Sequence, residues 1–417
     1  MEFNQVEQQT TQDFTGWKRR TVLFMAGQTV SLFGSSLVQY AILWHLTLTA
    51  QSGLVLTVST TASFLPQIVI SMFAGVWADR YNRKFLIIFA DLLTAVSTLI
   101  LAILFMLGYE QLWLLYVISA IRSVGAGIQT PSVNALLPQI VPPDRLLKVN
   151  GLTGTIQPIL YIISPLLAGT MMSLFRLETI FFVDVVTAAL AVSLLMMLKV
   201  PDYPRATHAV SGYMNDLKMG LRYIRNHRVI RVLFTFNAVS LLMVSPAAFL
   251  TPLLVARSYG EEVWRLTANE ITFFVGMILG GLLMTTWGGF KNRFQTIGLG
   301  SIVIGLLFAA LGMVDLFGLY LALMFLAGIP MPLINVPSTT LLQEMVEPDI
   351  MGRVFGINQL VSTIAMPAGM LIFGPLADLV EIETLLIISG FLLALPGVWI
   401  FFNRQLNQTE PYLTPAD

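Results

Sequence analysis

The sequence predicts an all-α integral membrane protein: twelve transmembrane helices in two pseudo-symmetric six-helix bundles. Three observations carry that expectation. The first is composition. Mean hydropathy is +0.78, 56% of residues are hydrophobic and 11% are charged, whereas soluble globular chains carry about 25% charged residues. The second is length. Apolar runs able to cross roughly 30 Å of hydrocarbon as helices recur along all 417 residues. The third is an internal repeat. Val141-Pro-Pro143-Asp144-Arg-Leu-Leu-Lys148-Val149-Asn-Gly151 returns 205 positions later as Val346-Glu-Pro348-Asp349-Ile-Met-Gly-Arg353-Val354-Phe-Gly356. Leu136-Leu137 and Gly75 keep the same offset to Leu341-Leu342 and Gly280. A repeat of about half the chain is the mark of a transporter built from two parallel six-helix units.

Apolar runs place the spans at about 21–48, 53–77, 85–107, 112–137, 146–173, 178–198, 230–256, 268–289, 295–314, 317–342, 351–379 and 384–402, with ends good to a few residues. The longest polar segment, Lys199 to Arg231, separates the sixth span from the seventh. The expected domains are therefore a tail over 1–20, a bundle over 21–198, a central loop over 199–229, a second bundle over 230–402 and a tail over 403–417. With both termini cytoplasmic, 19 of the 23 Lys and Arg residues fall on the cytoplasmic side, three outside and one, Arg122, within a span. That asymmetry follows the positive-inside rule and would not survive moving one span. Residues 1–16 lack the basic and apolar regions of a cleaved signal. Within the central loop, Leu217, Leu221 and Ile224 recur at helical spacing between Lys218, Arg222, Arg225 and Arg228. Such a helix suits either an anionic leaflet or a linker docked on the bundles.

The same composition excludes several classes. There is no Cys, so no disulfide or thiol chemistry. Net charge is zero, which argues against nucleic acid. No Walker A sequence supplies an ATP drive, and His45, His208 and His227 are too scattered for a metal site. The expectation is therefore a non-enzyme without cofactor or metal.

Between the second and third spans lies Gly75-Val-Trp-Ala-Asp79-Arg80-Tyr-Asn82-Arg83-Lys84. Asp79 ends a helix and so faces the negative end of its own dipole, which is unfavourable unless compensated. Arg80, Arg83 or the start of the eleventh span could compensate it, and a pair made in one state and broken in another is a gate. The plain alternative is a solvated, topology-setting turn. The signature resembles the loop between helices two and three of the major facilitator superfamily, a resemblance that covers nearly the whole chain and implies that superfamily's fold and alternating access. Asn82 stands where the family usually has Gly, and Asn is the next best residue for a left-handed backbone. The second half keeps Gly280, Lys291 and Arg293 without the acid, so a gate there is expected to be weaker.

Arg122 lies near the middle of the fourth span, where a charge costs at least about 2.5 kcal/mol, so it should face inward to a partner. Arg122-Ser-Val-Gly125-Ala-Gly127 resembles the family's fourth-helix motif, which implies proton coupling or stabilisation of one conformation; a structural ion pair is the alternative. Asp91 and Asp184 are the acids most clearly within spans and join Arg122 as proton-coupling candidates. Glu270 and Glu344, nearer span ends, read better as solvated. In the fifth span Ser164-Pro165-Leu-Leu-Ala168-Gly169 resembles the family's antiporter motif, which marks exporters. Gln28, Gln39, Gln129, Asn134, Asn237 and Asn335 are polar residues expected to line a central cavity, against the bland reading of helix–helix hydrogen bonds.

Whole-chain resemblance is nearest to bacterial macrolide-efflux-type exporters of this superfamily, through Ala26-Gly27-Gln28-x-Val30-Ser31-Leu32, Ala90-Asp91-Leu92, Arg122-Ser123, Thr130-Pro131-x-x-Asn134-Ala135, Tyr161-Ile162-x-Ser164-Pro165 and Gly352-Arg353-Val354-Phe355. It implies a monomeric protein of the bacterial plasma membrane that exports a small amphipathic drug against protons. Two rivals stand beside that expectation: the same fold exporting an endogenous metabolite such as a siderophore or lipid, and a non-transporting membrane sensor or scaffold.

Overall fold

The computed structural model describes residues 16–200, 213–403 and 406. The expected N-terminal tail up to Thr15, part of the central loop and the tail beyond Leu406 lie outside them, as does the Asp79 side chain. The helices are α1 (Trp17–Ala50), α2 (Gly53–Arg80), α3 (Arg83–Met106), α4 (Leu112–Ile140), α5 (Pro143–Leu174), α6 (Leu177–Met197), α7 (Tyr213–Asn226), α8 (Arg228–Phe249), α9 (Thr251–Leu254), α10 (Val263–Trp287), α11 (Arg293–Leu311), α12 (Phe317–Gly328), α13 (Pro330–Met345), α14 (Pro348–Leu376) and α15 (Ile382–Phe402). They supply twelve segments long and apolar enough to cross a membrane. Proline explains the two composite spans, because it removes a helical N–H. The seventh passes from α8, after Pro246, through α9 into a π-turn at Val255–Tyr259. The tenth breaks between α12 and α13 at Ile329, before Pro330.

α1 packs on α6, and α4 packs on α2 and α3; in the second half α11 packs on α15, α8 on α14, and α10 on α12. Two seams join the halves, α2 with α14 and α5 with α10. Side chains such as Val96, Ile100, Leu190, Leu282 and Leu395 remain exposed on the outside, as a surface solvated by lipid requires.

The ends of the spans define two faces: a linker face, where α7 lies, and a far face, where α1 turns into α2. The seams are closed only toward the far face. A side chain on Gly53 would strike the Gly374 carbonyl, one on Gly374 the Thr57 side chain, and one on Gly169 the Thr267 side chain. Toward the linker face, Gly75, Gly151, Gly154, Gly281, Gly352 and Gly356 all look onto open space. There α5 is exposed on every side from Asn150 to Thr155. The molecule is therefore open at the linker face and shut at the far face.

The repeat has a structural counterpart. α5 and α14 both begin with Pro at the first helical position and Asp in the first turn, at Pro143-Asp144 and Pro348-Asp349. Pro suits that position and Asp complements the positive helix end. Val141 and Val346, which end the preceding helices, are both buried. α7 docks on the second half: Leu217 and Ile224 join a cluster with Ile230, Leu233 and Val354, and Asp216 pairs with Arg353 at 2.8 Å.

Candidate functional site

Four helices of the first half meet at Arg122. Its guanidinium pairs with Asp184 of α6 and also donates to the Thr98 hydroxyl of α3. It further donates to the Ser35 carbonyl of α1 at 3.2 Å. Thr98 donates to the same Asp184 oxygen, Oδ2, at 3.0 Å. Asp184 is 1% exposed and Arg122 10%. Two of the three sequence-derived coupling residues thus neutralise each other, across 62 positions of sequence. The glycines after Arg122 permit the close packing. Gly125 lies against Thr94 and the Ala90 carbonyl of α3, and Gly127 lies against the Gln67 backbone of α2. Ser123 accepts a hydrogen bond from the Gln67 N–H at 2.9 Å, beside the helix-bending Pro66.

Asp91 has a different setting. It is 4% exposed. Its Oδ1 accepts from the Ser31 hydroxyl at 2.7 Å and from the Gln129 amide at 2.8 Å. Among the described residues its Oδ2 is buried without any hydrogen-bond partner, and no cation pairs with it. Gln129 therefore positions Asp91. Of the other polar candidates, Gln28 is buried, Gln39, Asn134 and Asn335 are exposed, and Asn237 donates to Asn358 at 3.1 Å.

The fifth-span motif lies on the α5–α10 seam. Ser164, Pro165, Ala168 and Gly169 are all buried. Gly169 is the point of closest approach, where its missing side chain makes room for Thr267 of α10. The Ser164 hydroxyl is buried without a partner.

In the loop between α2 and α3, the bases serve helix ends. Arg83 donates to the carbonyls of Ala78 and Ala135 at 2.8 Å. Lys84 donates to those of Met196 and Leu198 at 2.9 and 2.8 Å. Cations at carbonyl-rich helix C-termini are favoured twice over, by hydrogen bonds and by the dipole. Arg80 is exposed. Asn82 corrects one expectation: its backbone is extended, with φ −66°, and its side chain caps α3 by accepting from the Phe85 N–H. An amide oxygen at the N-cap, not tolerance of left-handed backbone, is the reason Asn fits there. The second half also has an acid at the equivalent level, because Glu344 of α13 pairs with Arg293.

The far face holds a cluster that sequence reasoning missed. Asp378, just after α14, caps the start of α2 in the other half. Its carboxylate accepts from the Ser52 hydroxyl at 2.7 Å and from the N–H groups of Gly53 and Leu54 at 2.8 and 2.9 Å. Arg257, from the π-turn, donates to Asp378 at 2.9 Å, to the Ala377 carbonyl at 2.7 Å and to the Gln51 carbonyl. Gln51 donates to Glu261 at 2.6 Å and holds a left-handed backbone with φ 46°. Burial alone would raise the Asp378 carboxyl; the donors from Leu54, Ser52, Gly53 and Arg257 outweigh it and hold the group below its ordinary 3.8. The available signal was an acid closing one span opposite Ser52-Gly53, an N-cap sequence opening an antiparallel one.

A polytopic helical bundle with two seams, open at one face and shut at the other, is the architecture of a membrane transporter. A family model described as Major Facilitator Superfamily matches residues 24–370, and the chain belongs to that superfamily. It is 28% identical over 383 residues to macrolide efflux protein A of Streptococcus pyogenes, covering 91% of this chain and 95% of that one. It is 23% identical over 378 residues to an enterobactin exporter of Shigella boydii, covering 88% of each. Among solved structures, a bacterial homolog of the human lysosomal transporter Spinster superposes with a TM-score of 0.69 at 13% identity, covering 94% of this chain and 97% of that one.

Proposed function

We propose that this transporter exports bulky amphipathic compounds in exchange for protons, with Asp91 as the proton-carrying acid. The observation that carries the reading is the Asp91 carboxylate: buried, cation-free, with one oxygen fixed by Ser31 and Gln129 and the other without a partner. The free oxygen is where a proton can sit without displacing an existing bond. Asp184 is held by Arg122, so that pair serves as a brace whose rearrangement accompanies the change of state. With the linker face cytoplasmic, as the Lys and Arg distribution supports, the structure is inward-open and able to load substrate from the cytoplasm or inner leaflet. The relaxed antiporter motif on the α5–α10 seam and the likeness to a macrolide efflux protein support export of a drug-like molecule. The far-face cluster around Asp378 then acts as the outer gate. The Asp79 loop is the matching inner gate of the opposite state.

The test is efflux from energised inverted vesicles, with and without a proton uncoupler, for wild type and Asp91→Asn. The expected result is uncoupler-sensitive accumulation of a macrolide or dye in wild type. In Asp91→Asn that accumulation is lost, while downhill exchange of the same compound persists. Wild-type transport indifferent to the uncoupler rejects proton coupling, and normal coupling in Asp91→Asn rejects Asp91 as the carrier.

A further inference from the structure

Two contacts hold the α5–α10 seam two helical turns apart, and an acid sits between them. Thr267, Glu270 and Phe274 occupy positions i, i+3 and i+7 of α10 and so share one face. Thr267 packs against Gly169 of α5. Phe274 stacks on Tyr161 of α5, with ring centroids 5.0 Å apart and planes 6° from parallel. Glu270 lies between these two contacts and therefore faces the same seam. It was expected at a solvated span end; it lies about two turns into α10 and is half-buried. Among the described residues no ion pair or hydrogen bond compensates it. The nearest cation on its own helix, Arg265, is committed to Glu262 at 2.9 Å and to the Tyr259 carbonyl. Tyr40 of α1 and Tyr320 of α12 lie near it, and the Tyr320 hydroxyl donates to Asn269 at 2.8 Å.

The rest of the wall is also rich in acceptors and π-faces. Pro165 has no N–H for the Tyr161 carbonyl one turn earlier. Phe273 meets Phe274 edge-on with centroids 5.8 Å apart. An unpaired, half-buried carboxylate on a seam lined with aromatic rings lacks one component, a diffuse positive charge with apolar surface.

We infer that Glu270, with Tyr161, Phe274 and Tyr40, forms a binding site for lipophilic organic monocations at the apex of the linker-face opening. This rests on the transport reading and assigns the charge of its substrate. A cation enters from the open face, sets its charge against Glu270 and lays its apolar groups on the Tyr161–Phe274 stack. Because the site bridges the halves, the bound cation touches both walls that alternating access must move.

The test uses the full-length protein in detergent and in proteoliposomes. Tetraphenylphosphonium is the cationic probe, and triphenylphosphine oxide is its neutral counterpart. Wild type is expected to bind the cation in preference to the neutral compound. Glu270→Gln should lower that preference about tenfold, equivalent to about 1.4 kcal/mol. Glu270→Asp should retain part of it, and Phe274→Leu, which keeps the volume, should weaken the cation about threefold to thirtyfold. The Asp and Leu variants keep the question decidable where the Gln variant misfolds. No cation preference in wild type, or an unchanged preference in Glu270→Gln, overturns the inference. Uphill transport of neutral compounds in those circumstances leaves the transport reading standing. A Glu270-dependent cation preference in a protein that moves no compound in vesicles overturns the transport reading and leaves the binding site.

Discussion

Arg122 and Asp184 are a buried pair, and the physics of such pairs sets what their variants do. Removing one partner strands a charge away from water, which costs about 3–5 kcal/mol, whereas replacing both by apolar residues is often close to neutral. Arg122→Ala and Asp184→Asn should therefore each lower the melting temperature in detergent, and Arg122→Met/Asp184→Leu should recover most of the loss. A double variant as unstable as the sum of the singles would mean that the pair is uncoupled. At this scale the sequence was only partly legible. A charged residue within a span announces itself by desolvation, so Arg122, Asp91 and Asp184 were visible. Which acid meets Arg122 depends on how α4 and α6 are rotated, information spread over every contact of the bundle. Asp378 was invisible for the opposite reason: at a span end an acid costs little, and only the approach of α2 gives it partners.

At the scale of helices, the caps and close approaches are the sensitive points. Asn82 caps α3, so Asn82→Ala should cost about 1 kcal/mol and Asn82→Ser almost nothing. Faster hydrogen exchange at Phe85 in the Ala variant alone would mark the lost cap; equal exchange in both would reject it. Gly169 offers a second test. A larger side chain there meets Thr267 across the seam, so Gly169→Val should oppose closure of the far face while leaving each half folded. A single cysteine at Tyr109 or Leu316, exposed residues of that face, reports the change against no background, because the chain has no Cys. Unaltered thiol labelling in Gly169→Val would show that the seam tolerates the volume. Spans, proline breaks and the repeat were legible because hydrophobic length and backbone chemistry are local. The correction at Asn82 came from treating a cap as a turn, two roles that differ in φ and not in residue type.

For the whole molecule, the far-face cluster, as the proposed outer gate, should make closure depend on pH. The Asp378 carboxyl lies below its ordinary 3.8 when the face is shut, and opening returns it toward that value. Its contribution to the shut form is therefore complete above about 3.8 and is lost as pH falls through the lower value of the shut form. Acidifying the far side below pH 4 should open that face, and Asp378→Asn or Arg257→Ala should open it at neutral pH. Spin labels at Tyr109→Cys and Leu316→Cys, on opposite halves, should report a longer distance in each case. An unchanged distance in Arg257→Ala would remove the guanidinium from the account. The state of the molecule was not legible in the sequence. The same twelve spans can pack shut at either face, and the choice rests on small free-energy differences between whole arrangements.

α14 is tied at both ends to different parts of the chain. At its start, Arg353 grips Asp216 of α7, the helix on the covalent path between the halves; just beyond its end, Asp378 grips the start of α2. Its 29 residues make a rod about 43 Å long at 1.5 Å per residue. Mechanically this is a lever with a tether at each tip. Under the proposed alternating access, a tug on the connector should reach the opposite side of the bilayer along one continuous helix, so the connector's length should help set the stroke. Cutting the connector or adding slack to it should blunt the response of the far side to events on the near side, even with every residue in the membrane left unchanged.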